Sequence, residues 1–181
     1  MATKSIPDGY HSVTPYLIVK GAAKAIEFYQ RAFGATELMR MNGPDGKIGH
    51  AEIKIGDSAV MLADEAPDMG HRSPQSLGGA GVGLMVYVDR VDEVYKRAIT
   101  AGAKEVRPVK DQFYGDRSGT LHDPFGHTWT DVAAKSYSAP SATTRWSASY
   151  VPLSVVTRRA AGSMAVIVSR RKRTPGFTNF S

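Results

Sequence analysis

The chain has 181 residues, no cysteine and a formal net charge of +6, which excludes disulfides, thiolate metal sites and a cysteine nucleophile. No apolar run approaches the ~20 residues of a membrane-spanning helix, and the opening MATKSIPDGYHS lacks the apolar core of a signal peptide, so a cytoplasmic protein without a membrane partner is expected. The charge is unevenly placed: 15 basic face 17 acidic residues through Asp131, and eight basic and no acidic residues follow it.

In chain order, residues 1–10 form an N-terminal extension, and a strand is predicted over 12–19 with Thr14, Tyr16 and Ile18 on one face. A helix follows over 21–33, because Ala22, Ala25, Ile26, Tyr29, Ala32 and Phe33 recur at helical spacing, and Gly34 suits a left-handed C-cap. Strands are predicted at 35–42, 49–55 and 58–64. In the second of these, Ala51, Ile53 and Ile55 face a core, with His50, Glu52 and Lys54 opposite. Residues 65–81, rich in Pro, Gly, Ser and charge, read as a linker and a mobile cover. A strand at 82–88, a helix at 91–101 and strands near 104–109, 118–122 and 127–133 complete the pattern, with Asp123-Pro124-Phe125-Gly126 as a tight turn. Gly34-Ala35 and Gly102-Ala103 mark equivalent points 68 residues apart. The order β-α-β-β-β therefore occurs twice, in modules 11–66 and 82–133 of one α+β domain spanning 11–133, a duplicated unit with a cleft between halves.

FYQRAFGA after the first strand and FYGDRSGTLHDPFGHTW near the end resemble the vicinal-oxygen-chelate superfamily, in its PhnB-like, glyoxalase/bleomycin-resistance branch, over about residues 10–131. The resemblance implies paired βαβββ modules, a curved mixed sheet around a cleft, a homodimer and a small-molecule ligand. Metal-using members place ligands at positions that correspond here to Thr14, Leu62, Gly83 and Thr130. None of these four is a divalent-metal donor, so no metal and no cofactor are expected, and glyoxalase I, fosfomycin transferase and extradiol dioxygenase activities are disfavoured. His50 and Glu52, with His122 as a third donor, are the remaining metal candidates, read as polar cleft residues instead.

The ligand-binding residues expected on the cleft are Thr14, Tyr16, His50, Glu52, Leu62, Met85 and Tyr87, together with Val60. Phe113, Tyr114 and Arg117 are expected on its rim, where Arg117 holds an anionic group. His50 and Glu52 double as general-base candidates for a metal-free enzyme. His127 is expected to hold the last strand, and Trp129 to enter the sheet–helix core. Two functions compete with small-molecule binding: a glyoxalase-like lyase or another acid–base or metal-dependent enzyme, and a basic tail, 134–181, that binds nucleic acid or an anionic membrane. The abrupt loss of acidic residues and of family likeness after Thr130 favours a non-native reading frame for that tail.

Overall fold

The structure, a computed structural model, describes residues 5–133; the expectations for the basic tail lie outside them. Two βαβββ modules follow each other. The first comprises β1 (Tyr16–Val19), α1 (Ala22–Phe33), β2 (Thr36–Asn42), β3 (Ile48–Ile55) and β4 (Ser58–Asp64). After a 3₁₀ turn (Pro67–Met69) and the short α2 (Pro74–Leu77), the second comprises β5 (Gly83–Tyr87), α3 (Val91–Ala101), β6 (Lys104–Asp111), β7 (Arg117–His122) and β8 (Thr128–Ala133). Each module closes its own four-stranded mixed sheet, ordered β1-β4-β3-β2 and β5-β8-β7-β6. The first strand of each runs parallel to the last, and the remaining pairs are antiparallel. β1 is shorter than the expected 12–19. Its ladder starts after Pro15, which has no N–H to donate and contributes its carbonyl to the Met61 amide at 2.9 Å.

The predicted stripe of α1 is buried in full, joined by Phe28. Gly34 ends the helix at φ 70°, and its amide reaches the Gln30 carbonyl, a left-handed cap that disfavours a Cβ. α1 packs against α3, and one hydrophobic core runs through both modules. Its centre is aromatic: Phe33 lies 4.7 Å from Trp129 between ring centroids, and Tyr29 lies 5.4 Å from Trp129 and 6.3 Å from Phe125.

Within that centre, Asp123 is buried and accepts four hydrogen bonds. Oδ1 takes the Phe125 and His127 amides, each at 2.9 Å, and so shapes the DPFG turn. Oδ2 takes the Tyr29 hydroxyl at 2.7 Å and the Trp129 indole N–H at 2.9 Å. Tyr29 belongs to the first module, so one carboxylate ties the two halves together. Burial, with Asp123 beside it, pushes the Tyr29 phenol well above its ordinary pKa, so this donor keeps its proton. His127, expected to hold the last strand, is buried with its Nδ1 lacking a hydrogen-bond partner, and burial lowers its pKa.

The duplication leaves a matched pair of aspartates. Asp64 lies across from Val19 and Asp131 across from Val86. Asp64 Oδ1 accepts the Gly21 and Ala22 amides at 2.8 and 2.9 Å, and Oδ2 the Ile48 amide at 2.9 Å, which caps α1 from a neighbouring strand. Asp131 has no such role. The connection from Val86 to α3 is two residues longer than that from Val19 to α1, so the start of α3 is out of its reach. Its side chain is 0% exposed, both oxygens lack a hydrogen-bond partner, and burial raises its pKa to about 7.

Two predictions test these buried carboxylates. Asp123→Ala strands four donors in the core and is expected to cost about 3–5 kcal/mol of unfolding free energy, against about 1–2 for Tyr29→Phe. Denaturant titration of both variants decides it, and an Asp123→Ala midpoint equal to that of the parent would refute the hub. For Asp131, the folded state holds its proton to higher pH than the unfolded chain does. Its stabilising protonation is complete below about pH 4 and is lost as pH rises towards 7. Asp131→Asn should therefore match the parent near pH 4 and exceed it by roughly 2–4 kcal/mol at pH 8; a difference independent of pH contradicts the assignment.

Candidate functional site

Each sheet has one face on the helices and one turned away from them. On the away-facing side of the first sheet, Tyr16, Met61 and Glu52 lie in one cross-strand row, and His50 sits two residues before Glu52 on the same face of β3. The rings of Tyr16 and His50 are 5.6 Å apart. The Tyr16 hydroxyl lies 2.9 Å from His50 Nδ1, and His50 Nε2 lies 3.2 Å from Glu52 Oε1. Glu52 Oε2 accepts the hydroxyl of Tyr10, from the segment before β1. The Tyr10 hydrogen bond above all, reinforced by His50, holds the Glu52 carboxyl below its ordinary pKa. The same bond raises the Tyr10 phenol, and partial burial raises that of Tyr16. The chain of four side chains runs from Tyr16, 46% exposed, through buried Glu52 to half-buried Tyr10.

A groove runs between the edge strands β1 and β5. One cavity, about 570 Å³, is lined by Val13, Pro15 and Ala59 on one side and Met85, Tyr87 and Val88 on the other. A second, about 380 Å³, has Tyr16, Ile18 and Leu84 in its walls, with Arg72, Leu77 and His127 around them. The segment expected to be a mobile cover forms part of this second cavity and is pinned at its start. Glu65 Oε2 accepts the Ser73 amide and hydroxyl and the Ser76 hydroxyl at 3.2, 2.7 and 2.7 Å. These bonds, Ser76 foremost, hold the Glu65 carboxyl at about 2. Gln75 ties the same segment to the Pro124 carbonyl at 2.8 Å.

The expected site residues separate into groups. Tyr16, His50 and Glu52 come together as described; Met85 and Tyr87, 60% and 65% exposed, line the groove from β5. Thr14 lies just before β1 and bonds the His11 carbonyl at 3.4 Å. Leu62 is corrected: it lies within the core at 0% exposure, and the cross-strand partner of Tyr16 is Met61; Val60 is buried in the same core and lines the first cavity. β4 reads SAVMLAD, apolar at nearly every position, so its alternation carries no polar mark to set the face. Arg117 is corrected as well. Its guanidinium is bidentate to Asp92 at 2.7 and 2.6 Å and reaches Asp111 at 3.1 Å, so it pins the start of α3 to β6 and is already committed to carboxylates. Phe113 and Tyr114 stack edge to face, 5.1 Å apart, on the exposed β6–β7 turn.

The donor set does not suit a metal. Among the described residues no three His, Asp or Glu side chains gather around a point. His122 bonds Thr128 at 3.1 Å on the second sheet and does not join His50 and Glu52. The residue sequence reasoning missed is Tyr10, 42 positions from Glu52 and in a segment with no regular element to suggest its placement.

Comparison with known proteins accords with this architecture. The sequence profile of the Glyoxalase/Bleomycin resistance protein/Dioxygenase superfamily matches residues 9–130. An uncharacterised protein of Mycobacterium tuberculosis is 48% identical over 122 residues, 66% of this chain and 72% of that protein. TioX from Micromonospora sp. ML1 superposes with a TM-score of 0.54 at 28% identity, covering 68% of this chain and 98% of TioX. The PhnB protein from Bacillus cereus superposes at 0.56 and 18% identity, covering 68% of this chain and all of that one, a likeness of fold. With two βαβββ modules and a profile match across nearly all of both, the chain belongs to the glyoxalase/bleomycin resistance protein/dioxygenase superfamily.

Proposed function

We propose that this protein binds a small, flat, amphipathic organic molecule in the groove between its modules, without a metal, and sequesters it. The observation that carries this is the second cavity: mostly apolar walls, joined by Tyr16, Arg72 and His127 as the groups able to orient a ligand. At about 380 Å³ it falls within the range of small-molecule pockets, which pair apolar walls with a few fixed polar groups. Met85 and Tyr87 extend the apolar surface along the neighbouring cavity, and their exposure suits either a longer ligand or the second copy of a homodimer.

The proposal has a direct test. In a small-aromatic fragment screen read by protein NMR, the largest ligand-induced shifts should fall on Tyr16, Ile18, Leu84, Met85 and Tyr87. Zn²⁺, Ni²⁺, Mn²⁺ or Fe²⁺ should leave the thermal midpoint unchanged, since a ligand bound by the native state alone must raise it. Shifts confined to other surfaces would overturn the groove as the site, and a stoichiometric metal that raises the midpoint would overturn metal independence.

A further inference from the structure

The end strand of the second sheet carries a column of cations. β6 pairs Lys104 with His122, Arg107 with Thr120 and Lys110 with Ser118, and residues directly opposite each other share a face of the sheet. Ser118, Thr120 and His122 alternate with Leu121, which enters the core, so all three cations stand on the side turned away from the helices. In a regular strand, residues three apart fall on opposite faces. Here the register shifts between Glu105 and Arg107 and again between Arg107 and Lys110, and each irregularity returns the next cation to the same side. The Tyr95 hydroxyl, 3.0 Å from the Arg107 carbonyl and 3.3 Å from that of Thr120, braces the strand there from the helix side. Because their partners on β7 are two residues apart, the cations are spaced about 7 Å along the sheet.

The column has no counter-charge. Beyond its partners on β7, the same face continues into Thr128, Thr130 and Val132 of β8, and none of these six positions is a carboxylate. The two acidic residues of β6 are engaged elsewhere: Glu105 lies 3.2 Å from the Tyr95 hydroxyl, and Asp111 accepts from Arg117 at 3.1 Å. Residues 1–4 and 134–181 contain no Asp or Glu. Among the described residues, neither Lys104 nor Lys110 makes an ion pair. Arg107 donates from Nη2 to the buried Thr120 Oγ1 at 3.1 Å, and that oxygen lies 3.2 Å from Thr130 Oγ1. Its other N–H groups have no acceptor among the described residues.

We infer that this face binds a phosphate group at Arg107, flanked by Lys104 and Lys110. A guanidinium held by a neighbouring hydroxyl offers its remaining N–H groups to two oxygens of one anion. Phosphate suits the face better than a carboxylate because it brings about −1.5 to −2 charges at pH 7 to three uncompensated cations. The strand in the corresponding place in the first sheet, β2, sets Met39 and Met41 across from Glu52 and His50, so the basic column is not a by-product of the repeat. None of its residues lines either groove cavity, and the inference stands apart from the small-molecule role proposed above. The phosphate belongs either to an organic ester or to the free inorganic ion.

The test titrates inorganic phosphate, phenyl phosphate and acetate into the full chain at low ionic strength, with protein NMR as the readout. The eight basic residues after Asp131 also attract anions, so the signals that count are the amides of Arg107, Thr120 and Thr130. Phosphate should shift these amides with an affinity about tenfold above that of acetate. Arg107→Ala should weaken phosphate binding about tenfold, the scale of one charge-assisted contact. Arg107→Lys, which keeps the charge without the planar fork, should lose less, and circular dichroism checks the fold of both. Lys96→Ala removes the same charge from α3 and should leave the affinity unchanged. Tighter binding of phenyl phosphate than of the inorganic ion supports an ester as the source, and equal binding supports recognition of the phosphate group alone. Acetate binding as tight as phosphate, parental affinity in Arg107→Ala, an equal loss in Lys96→Ala, or no shift at these amides in tens of millimolar phosphate would each overturn the site.

Discussion

A single buried carboxylate sets the relation between the two modules. The Asp123 side chain faces donors from its own turn, from β8 and from α1 of the other module. A carboxylate out of water is costly unless its lone pairs are matched, and once matched it is costly to disturb. Four matched donors therefore fix several geometries at once: the DPFG turn, the indole of Trp129, and the position of α1 against the second sheet. The α1–α3 contact and the aromatic centre around Tyr29, Phe33 and Trp129 follow from that placement. So does the spacing of β1 from β5, whose edges flank the groove.

The duplication is most informative where it fails. Register makes Asp64 and Asp131 equivalents, yet one accepts three amides, two of them at the start of α1, while the other lies buried without a hydrogen-bond partner. Two extra residues before α3 are enough to separate them, and the second module bears an electrostatic cost the first avoids. The away-facing sides diverge in the opposite sense. The row Tyr16–Met61–Glu52 of the first sheet corresponds to Gly83–Thr128–His122 of the second. There, no hydroxyl stands in the place of Tyr16, and His122 bonds only to its neighbour Thr128 among the contacts seen. The hydrogen-bonded chain thus belongs to one module, and the two sheets differ in what their away-facing sides carry.

Much of this could be read before any coordinates. The repeat, the extent of α3, the buried stripe of α1, the alternation of β3 and the inward Trp129 are local consequences of period and composition. Failures occur where local pattern is silent. In β4 the middle of the strand, Ala59 to Ala63, is apolar throughout, so it does not distinguish Met61 from Leu62 until Glu52 stands across from one of them. Arg117 looks available in sequence, and only the fold brings Asp92 and Asp111 to its guanidinium. The orphaned Asp131 results from a loop-length difference whose effect is three-dimensional.

Tyr10 changes how the N-terminal segment is understood. By composition it is an extension ahead of the domain; by contact it is part of the site, since its hydroxyl occupies the one oxygen of Glu52 that His50 does not use. An ion pair between His50 and Glu52 alone would leave a half-satisfied carboxylate free to rotate, and a partly satisfied buried polar group is a poor anchor for anything built on it. With both oxygens engaged, Glu52 is held in one orientation against His50, and His50 in turn against the Tyr16 hydroxyl. A carboxylate, a ring and two phenols from three separate segments are thus joined on the away-facing side of the first sheet, and the segment before β1 is held to the domain by the same bonds.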